Sequence, residues 1–251
     1  MNNQQPTRND IIIGRNAVIE ALKSNAEIDC IYIAKGERQG SINVAVAKAR
    51  EKRVTVKEVQ PSKLDEMAGS SNHQGIVAVS AFTNYVDVSE ILAIAKEKGE
   101  SPFIIIADEI EDPHNLGAII RTAEASGAHG LIIPKRRSAS VNQTVFKTSA
   151  GACQHLAIAK VSNLANTIDS LKKEGIFFYA ADMGGTSWDK TDFSGGVGLV
   201  IGSEGFGVGK LILDKCDFIV SLPMCGKINS LNASVAAGIL MYEITRQRLS
   251  K

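Results

Sequence analysis

From Ile11 onward, apolar positions follow two rhythms: spacings near 3.6 residues, and short unbroken runs rich in β-branched side chains. In the first third the pattern predicts a helix over 15–24, a strand over 30–34 and a helix over 42–52. A strand over 55–59, a short helix over 62–68 and a strand over 75–81 follow. Together they predict an α/β unit of roughly 70 residues. Residues 83–86 lead out of it, and Val88, Ile91, Leu92 and Ala95 then share one face of a helix. A domain boundary is placed within 82–100. Ahead of everything, residues 1–9 read as a flexible polar tail.

The remainder alternates more regularly. Strand-type runs fall at 103–107, 130–133, 176–181, 197–201 and 218–222, with helices predicted over 115–126, 164–173 and 211–214. Unbroken apolar strands between helices predict a parallel sheet covered on both faces. In such sheets ligands bind beyond the carboxyl ends of the strands, which is where the polar segments of this half lie.

Composition narrows the picture only slightly. The 251 residues are 44% apolar and 22% charged, as in ordinary globular proteins. No apolar run reaches the ~18 residues of a membrane span, and the polar start lacks a signal-type apolar core, so a cytoplasmic protein is expected. Cys30, Cys153, Cys216 and Cys225 are too irregularly spaced for a disulfide framework or a zinc site. His73, His114, His129 and His155 are equally scattered, and no metal is expected. A net charge of +1 does not announce a nucleic-acid protein. Basic residues nevertheless bunch at Lys135-Arg136-Arg137 and at Lys48, Arg50, Lys52 and Arg53.

Three segments carry candidate chemistry. The first runs Asp112-Pro113-His114-Asn115-Leu116-Gly117-Ala118-Ile119-Ile120-Arg121. Asn115 is expected to cap the helix after Pro113 ends the strand. Arg121 lies a little under two turns further on, its side chain leaning toward the helix start. It suits a phosphate or a developing oxyanion, or else an ion pair with Glu124 or Glu111. The second, Ile201-Gly202-Ser203-Glu204-Gly205-Phe206-Gly207-Val208-Gly209, is dense in glycine. It fails as a P-loop because Val208 stands where lysine is required, and its glycine spacing fails as a dinucleotide fingerprint. Glu204 is either a charge for the helix that follows or a site residue. The third, Leu222-Pro223-Met224-Cys225-Gly226-Lys227-Ile228-Asn229-Ser230-Leu231-Asn232-Ala233-Ser234, joins a strand to an apolar helix. Its backbone N–H groups and helix dipole face whatever occupies the loop.

In this order and at these separations, the segments Asn-x5-Arg, Gly-x-Glu-Gly and Pro-Met-x-Gly-x3-Ser-Leu-Asn-x-Ser closely resemble the SpoU/TrmH branch of the SPOUT RNA methyltransferases. The resemblance spans Phe103 to Arg248. Gly14-Arg15-Asn16-Ala17-Val18 and His73-Gln74-Gly75 likewise resemble the substrate-binding extension of the RlmB-type ribosomal-RNA guanosine methyltransferases.

The resemblance implies an α/β architecture: a small N-terminal RNA-binding domain over 10–82, a linker and connecting helix over 83–100, and a SPOUT domain over 101–251 tied in a deep trefoil knot. It implies S-adenosylmethionine held by Gly202, Leu222 and Leu231, with Ile201, Met224 and Gly226 shaping the pocket. It further implies a homodimer and methyl transfer to a ribose 2′-hydroxyl, of a guanosine in large-subunit (23S) ribosomal RNA. Arg121 would activate the hydroxyl, assisted by Ser230 and Asn232 with Asn115 and Glu204 nearby. Because an arginine is a permanent cation, stabilising a forming alkoxide suits it better than taking a proton. Arg15, Lys135, Arg136, Arg137 and Lys147 are candidate phosphate contacts. The competing expectations are a transfer-RNA substrate, an antibiotic-resistance methyltransferase, a non-catalytic RNA-binding factor and a nucleotide-binding α/β protein.

Overall fold

A computed structural model describes residues 11–24, 28–36, 40–52 and 54–250. The predicted tail and Arg53 lie outside the described residues. Two compact units emerge, one formed by residues up to Asn84 with 140–143, the other by 85–139 and 144–251.

The N-terminal unit holds β1 (Ile11–Ile13), α1 (Arg15–Lys23), β2 (Ile28–Ala34), α2 (Ser41–Glu51), β3 (Thr55–Val59), α3 (Pro61–Ala68) and β4 (Ile76–Ser80). Its sheet runs β1-β4-β2-β3, antiparallel except for the β2–β3 pair. Val18 and Leu22 of α1, and Ile42, Ala45 and Ala49 of α2, pack on Ile31, Ile33, Ile76 and Ala78, which is the helical 3.6 spacing meeting the strand alternation. On the opposite face Leu64 and Ala68 of α3 cover Ala34 and Val77.

The C-terminal unit holds β5 (Tyr85–Val86), α4 (Val88–Lys98), β6 (Phe103–Ala107), α5 (Pro113–Ala125), β7 (Gly130–Pro134) and α6 (Gln143–Thr148). Then come β8 (Ala157–Val161), α7 (Leu164–Lys172), β9 (Ile176–Ser187), β10 (Gly196–Ile201), α8 (Lys210–Leu213), β11 (Phe218–Ser221) and α9 (Ala233–Leu249). The sheet order is β11-β9-β10-β6-β7-β8-β5, and each neighbouring pair is parallel. Every residue of β6 and of β10 is buried, as central strands with helices on both faces require.

Several expected boundaries shift. α5 begins at Pro113 rather than Asn115, because proline is preset for the first helical position and the Asp112 carboxylate caps it, accepting from His114 N–H at 3.0 Å. β8, β5 and α6 escaped the sequence pattern. β8 contains two alanines and a lysine, and the two-residue β5 is a strand only because it pairs with β8. β9 runs to Ser187, beyond its apolar start, and its register with β11 jumps from Ile219–Ala180 to Val220–Thr186. Residues 181–185 therefore leave the β11 ladder as a bulged excursion.

This topology fixes where a ligand can sit. β6, β7 and β8 build outward in one direction, whereas β10 and β9 return on the other side of β6. The switch point lies between β6 and β10, where loops at the carboxyl ends diverge and leave a crevice. Among the described residues no helix is long and apolar enough to cross a membrane.

Candidate active site

The loops after β6 and β10 are clamped side by side. Asp108 N–H donates to the Ile201 carbonyl at 2.8 Å, extending the ladder by one step. The Asp108 carboxylate then accepts from Gly209 N–H at 2.9 Å, at the start of α8. Burial pushes the Asp108 carboxyl above its ordinary range, and this N–H partly offsets the shift. Asp108 thus fills the role at α8 that the sequence left open for Glu204.

Between these anchors, residues 203–207 form a miniature hairpin. Ser203 N–H donates to the Gly207 carbonyl at 3.0 Å, and Gly207 N–H returns a bond to Ser203 at 2.9 Å. Gly202 is required by contact: a Cβ there would stand 2.0 Å from the Gly207 carbonyl carbon.

Glu204 projects from this hairpin into a three-way contact. Asn115 Nδ2 donates to Glu204 Oε1 at 3.0 Å, and Asn232 Nδ2 donates to Asn115 Oδ1 at 2.9 Å and also to Glu204 Oε1. Asn232 is meanwhile the cap of α9, its Oδ1 accepting from the N–H groups of Ser234 at 3.0 Å and Val235 at 3.3 Å and from the Ser234 hydroxyl at 2.6 Å. Because its oxygen must face the helix, its NH2 must face the carboxylate, and the amide has one orientation. Asn115, buried in the first turn of α5, is thus not a cap but a strut between two loops. Leucine or alanine at that position would leave Glu204 and Asn232 short of a partner.

Beside this network opens a cleft of about 800 Å³. Ile201, Gly202, Leu222, Met224, Gly226 and Leu231 all line it, as do Glu204 and Ser230. The 181–184 excursion supplies a further wall, including Asp182, which sequence reasoning missed. Its signal was the bulge, and nothing in the local sequence announces a jump in pairing. Such a volume falls within the ~300–1,000 Å³ typical of small-molecule sites. Apolar side chains, exposed loop backbone and two carboxylates suit an adenine ring, a polar chain and a sulfonium cation, respectively.

Arg121 does not line this cleft. It stands exposed on α5, and among the described residues it has neither hydrogen bond nor ion pair; neither Glu124 nor Glu111 takes it. The next residue, Thr122, turns its methyl toward Gly238 of α9. Of the basic candidates, Arg136 is exposed beyond β7, and Lys147 is exposed in the last turn of α6. Lys135 is half-buried, its N–H bonded to Val161 at 2.8 Å. Arg137 is committed to Glu109 at 3.0 Å. Arg15, in the other unit, donates Nε–H to the Gln74 carbonyl at 2.8 Å, a local tie across the start of α1. Lys48 and Arg50 occupy the last turn of α2, and Lys52 donates to the Ser24 carbonyl at 2.6 Å.

Comparison with known proteins gives this architecture a lineage. Residues 102–242 match the SpoU rRNA Methylase family, and residues 11–86 match the model described as RNA 2′-O ribose methyltransferase substrate binding. The "Putative TrmH family tRNA/rRNA methyltransferase YacO" of Bacillus subtilis is 45% identical over 242 residues, covering 96% of this chain and 97% of that protein. Among solved structures, the SpoU methyltransferase AviRb from Streptomyces viridochromogenes, in complex with the cofactor AdoMet, aligns with a TM-score of 0.61 and 26% identity. That alignment covers 100% of this chain and 95% of AviRb. The A. aeolicus TrmH/SpoU tRNA modifying enzyme aligns with a TM-score of 0.56 and 28% identity, over 64% of this chain and 84% of its own. With its parallel sheet, its substrate-binding unit and a cleft suited to S-adenosylmethionine, this chain belongs to the SpoU/TrmH family of RNA methyltransferases.

Proposed function

We propose that the protein methylates a ribose 2′-hydroxyl, of a guanosine in large-subunit ribosomal RNA, and that it does so as a homodimer in the cytoplasm. The observation that carries this reading is the Asn115–Glu204–Asn232 network. It ties the three diagnostic segments together beside one cleft, which the second and third of them line. When bound, S-adenosylmethionine supplies the electrophilic methyl group. What the chain must supply is alignment and a more reactive hydroxyl.

Ile201, Gly202, Leu222, Met224, Gly226 and Leu231 hold the donor through backbone and apolar surface. Glu204, locked by two amides, fixes the loop and faces the cleft with negative charge. Ser230, exposed on the cleft wall, is free to donate toward the ribose. Arg121 stabilises the forming alkoxide or grips the neighbouring phosphate. Since Arg121 lies outside its own chain's cleft, a complete site takes this residue from a second copy. Val235, Ile239 and Tyr242 support that arrangement: they form an exposed apolar stripe at helical spacing on α9, the helix that packs on the α5 carrying Arg121. Across a two-fold axis, such a stripe meets its own image. The reading also includes a trefoil knot, supported by the way residues 222–231 share the cleft with 181–184 and 201–207.

Residues 10–82 serve as the RNA-binding domain in this reading, with 83–100 connecting it to a methyltransferase domain over 101–251. Arg136 and Lys147 are the best placed phosphate contacts, both exposed in the C-terminal unit. A ribosomal substrate is favoured because the tRNA-modifying neighbour aligns over only 64% of this chain, about the share of the C-terminal unit alone. The test is methyl transfer from labelled S-adenosylmethionine to unmodified transcripts of large-subunit ribosomal RNA and of transfer RNA. Label on a ribose of the ribosomal transcript is expected. Label only on transfer RNA, or on neither, would overturn the proposal.

A further inference from the structure

We propose that Phe206 is a stacking platform for a nucleobase of the substrate RNA, at the mouth of the cleft. The inference rests on the RNA-methyltransferase reading and adds to it a side chain that grips the base.

Phe206 is 92% exposed, the most exposed large apolar side chain among the described residues. An isolated exposed apolar residue needs no explanation, but this one has three unusual features. It lines the cleft. It stands at the tip of the 203–207 hairpin, whose two reciprocal backbone bonds and Gly202–Gly207 contact fix the chain that carries it. Glu204, two residues earlier, is tied by Asn115 and Asn232, so the hairpin that carries the ring is anchored by side chains as well. Met183 and Ile228, 67% and 75% exposed, line the same cleft and extend the apolar rim.

The chemistry of the reaction says what such a rim meets. A ribose hydroxyl can reach a donor within a cleft only if its nucleotide leaves the stack of neighbouring bases, and proteins replace the lost stacking with aromatic rings. A base attached to a sugar at the cleft lies within one nucleotide's reach of the rim. Phenylalanine offers a π-face without hydrogen-bond preference, and each stacked base is worth roughly tenfold to a hundredfold in affinity. The inner walls, by contrast, are built by buried Ile201 and Val220, which suit the donor rather than the acceptor.

Phe206→Trp makes the contact visible, with the wild-type protein and its single Trp188 as baseline. Titrating this variant with single-stranded hexa-adenylate should quench the added indole emission, while an abasic ribose-phosphate chain of equal length should not. Phe206→Ala should bind hexa-adenylate roughly tenfold to a hundredfold more weakly and raise KM for the RNA substrate. Its cofactor affinity by calorimetry and its oligomeric state should stay at wild-type values. Equal binding by Phe206→Ala, or equal quenching by the abasic chain, overturns the inference. A fall in cofactor affinity would reassign the ring to the donor, and a change in oligomeric state would reassign it to a second copy. If the wild-type protein methylates no RNA, the proposed function has failed; if it does and Phe206→Ala matches its KM, only the stacking role has.

Discussion

The two ends of the seven-stranded sheet treat charge in opposite ways. At the amino end, Arg248 donates to the carbonyls of Ser101 at 2.8 Å, Pro102 at 2.9 Å and Gly195 at 3.1 Å, and lies over the Phe103 ring. His129 is wedged between Phe103 N–H and Glu100. Both side chains there are spent on joining loops to the strand starts. At the carboxyl end, carboxylates and amides also bond one another, but they do so around an open cleft; Arg121, on the α5 helix that starts there, has no partner among the described residues. An arginine whose terminal nitrogens are held by backbone carbonyls, as in Arg248, is structural. One held on a rigid helix with donors unspent is available to an oxyanion. Residue type is the same; the bonding state separates architecture from chemistry.

Substitutions at the two arginines should therefore fail differently. Arg121→Ala is expected to lower methyl transfer about 10²- to 10³-fold, as loss of one oxyanion donor does. Its cofactor affinity and melting temperature should match the wild type. Steady-state kinetics with calorimetry would show this, and an unimpaired rate would remove Arg121 from the mechanism. Arg248→Met should do the reverse, costing about 2–3 kcal/mol of stability because three carbonyls lose a charged donor. Its rate should be normal at temperatures where it is folded. A stable Arg248→Met protein with slow turnover would erase the contrast between the ends.

Gly202→Ala sharpens the comparison within the carboxyl end. Its Cβ would force the hairpin off the Gly207 backbone, a strain of about 1–3 kcal/mol. Cofactor affinity should fall with stability, and a variant that binds the donor normally would show that the hairpin is not part of the donor site. The smallest effect concerns pH. Burial lowers the His129 pKa, with Glu100 opposing. A base depressed in the folded state contributes fully above its ordinary value near ~6.5, and the contribution is lost as pH falls through the depressed value. Unfolding free energy should thus decline below neutrality, and His129→Gln should flatten that decline by less than about 1 kcal/mol. An unchanged slope would show that His129 does not couple to folding.

Much of this was legible in the sequence because local pattern and global fold agree. β6 reads Phe-Ile-Ile-Ile-Ala and is buried throughout; β3 and β6 fall at the expected residues. The six expected donor-site residues share one cleft because each lies at or just beyond a strand's carboxyl end, which the β/α alternation predicts. What escaped has a common cause. Asp112, rather than Asn115, caps α5, and Asn115 is instead a strut to segments 89 and 117 residues away. β5 exists only through β8, and the 181–185 excursion only through β11. Pairings of that range leave no mark on either partner alone. Arg121 illustrates the same limit, since its spacing from Asn115 marks it as special, but its place outside the cleft shows only in three dimensions.

That last point admits a direct test. Arg121→Ala keeps the cleft and lacks the arginine; Leu231→Glu, at an exposed cleft position, keeps the arginine and blocks the cleft. Each should be inactive alone yet remain dimeric. If the site takes Arg121 across a two-fold interface, co-expressing both in equal amounts restores about a quarter of wild-type sites, one in each mixed dimer. Methyl transfer at that level is the predicted result; a mixture as inactive as its components would contradict the account.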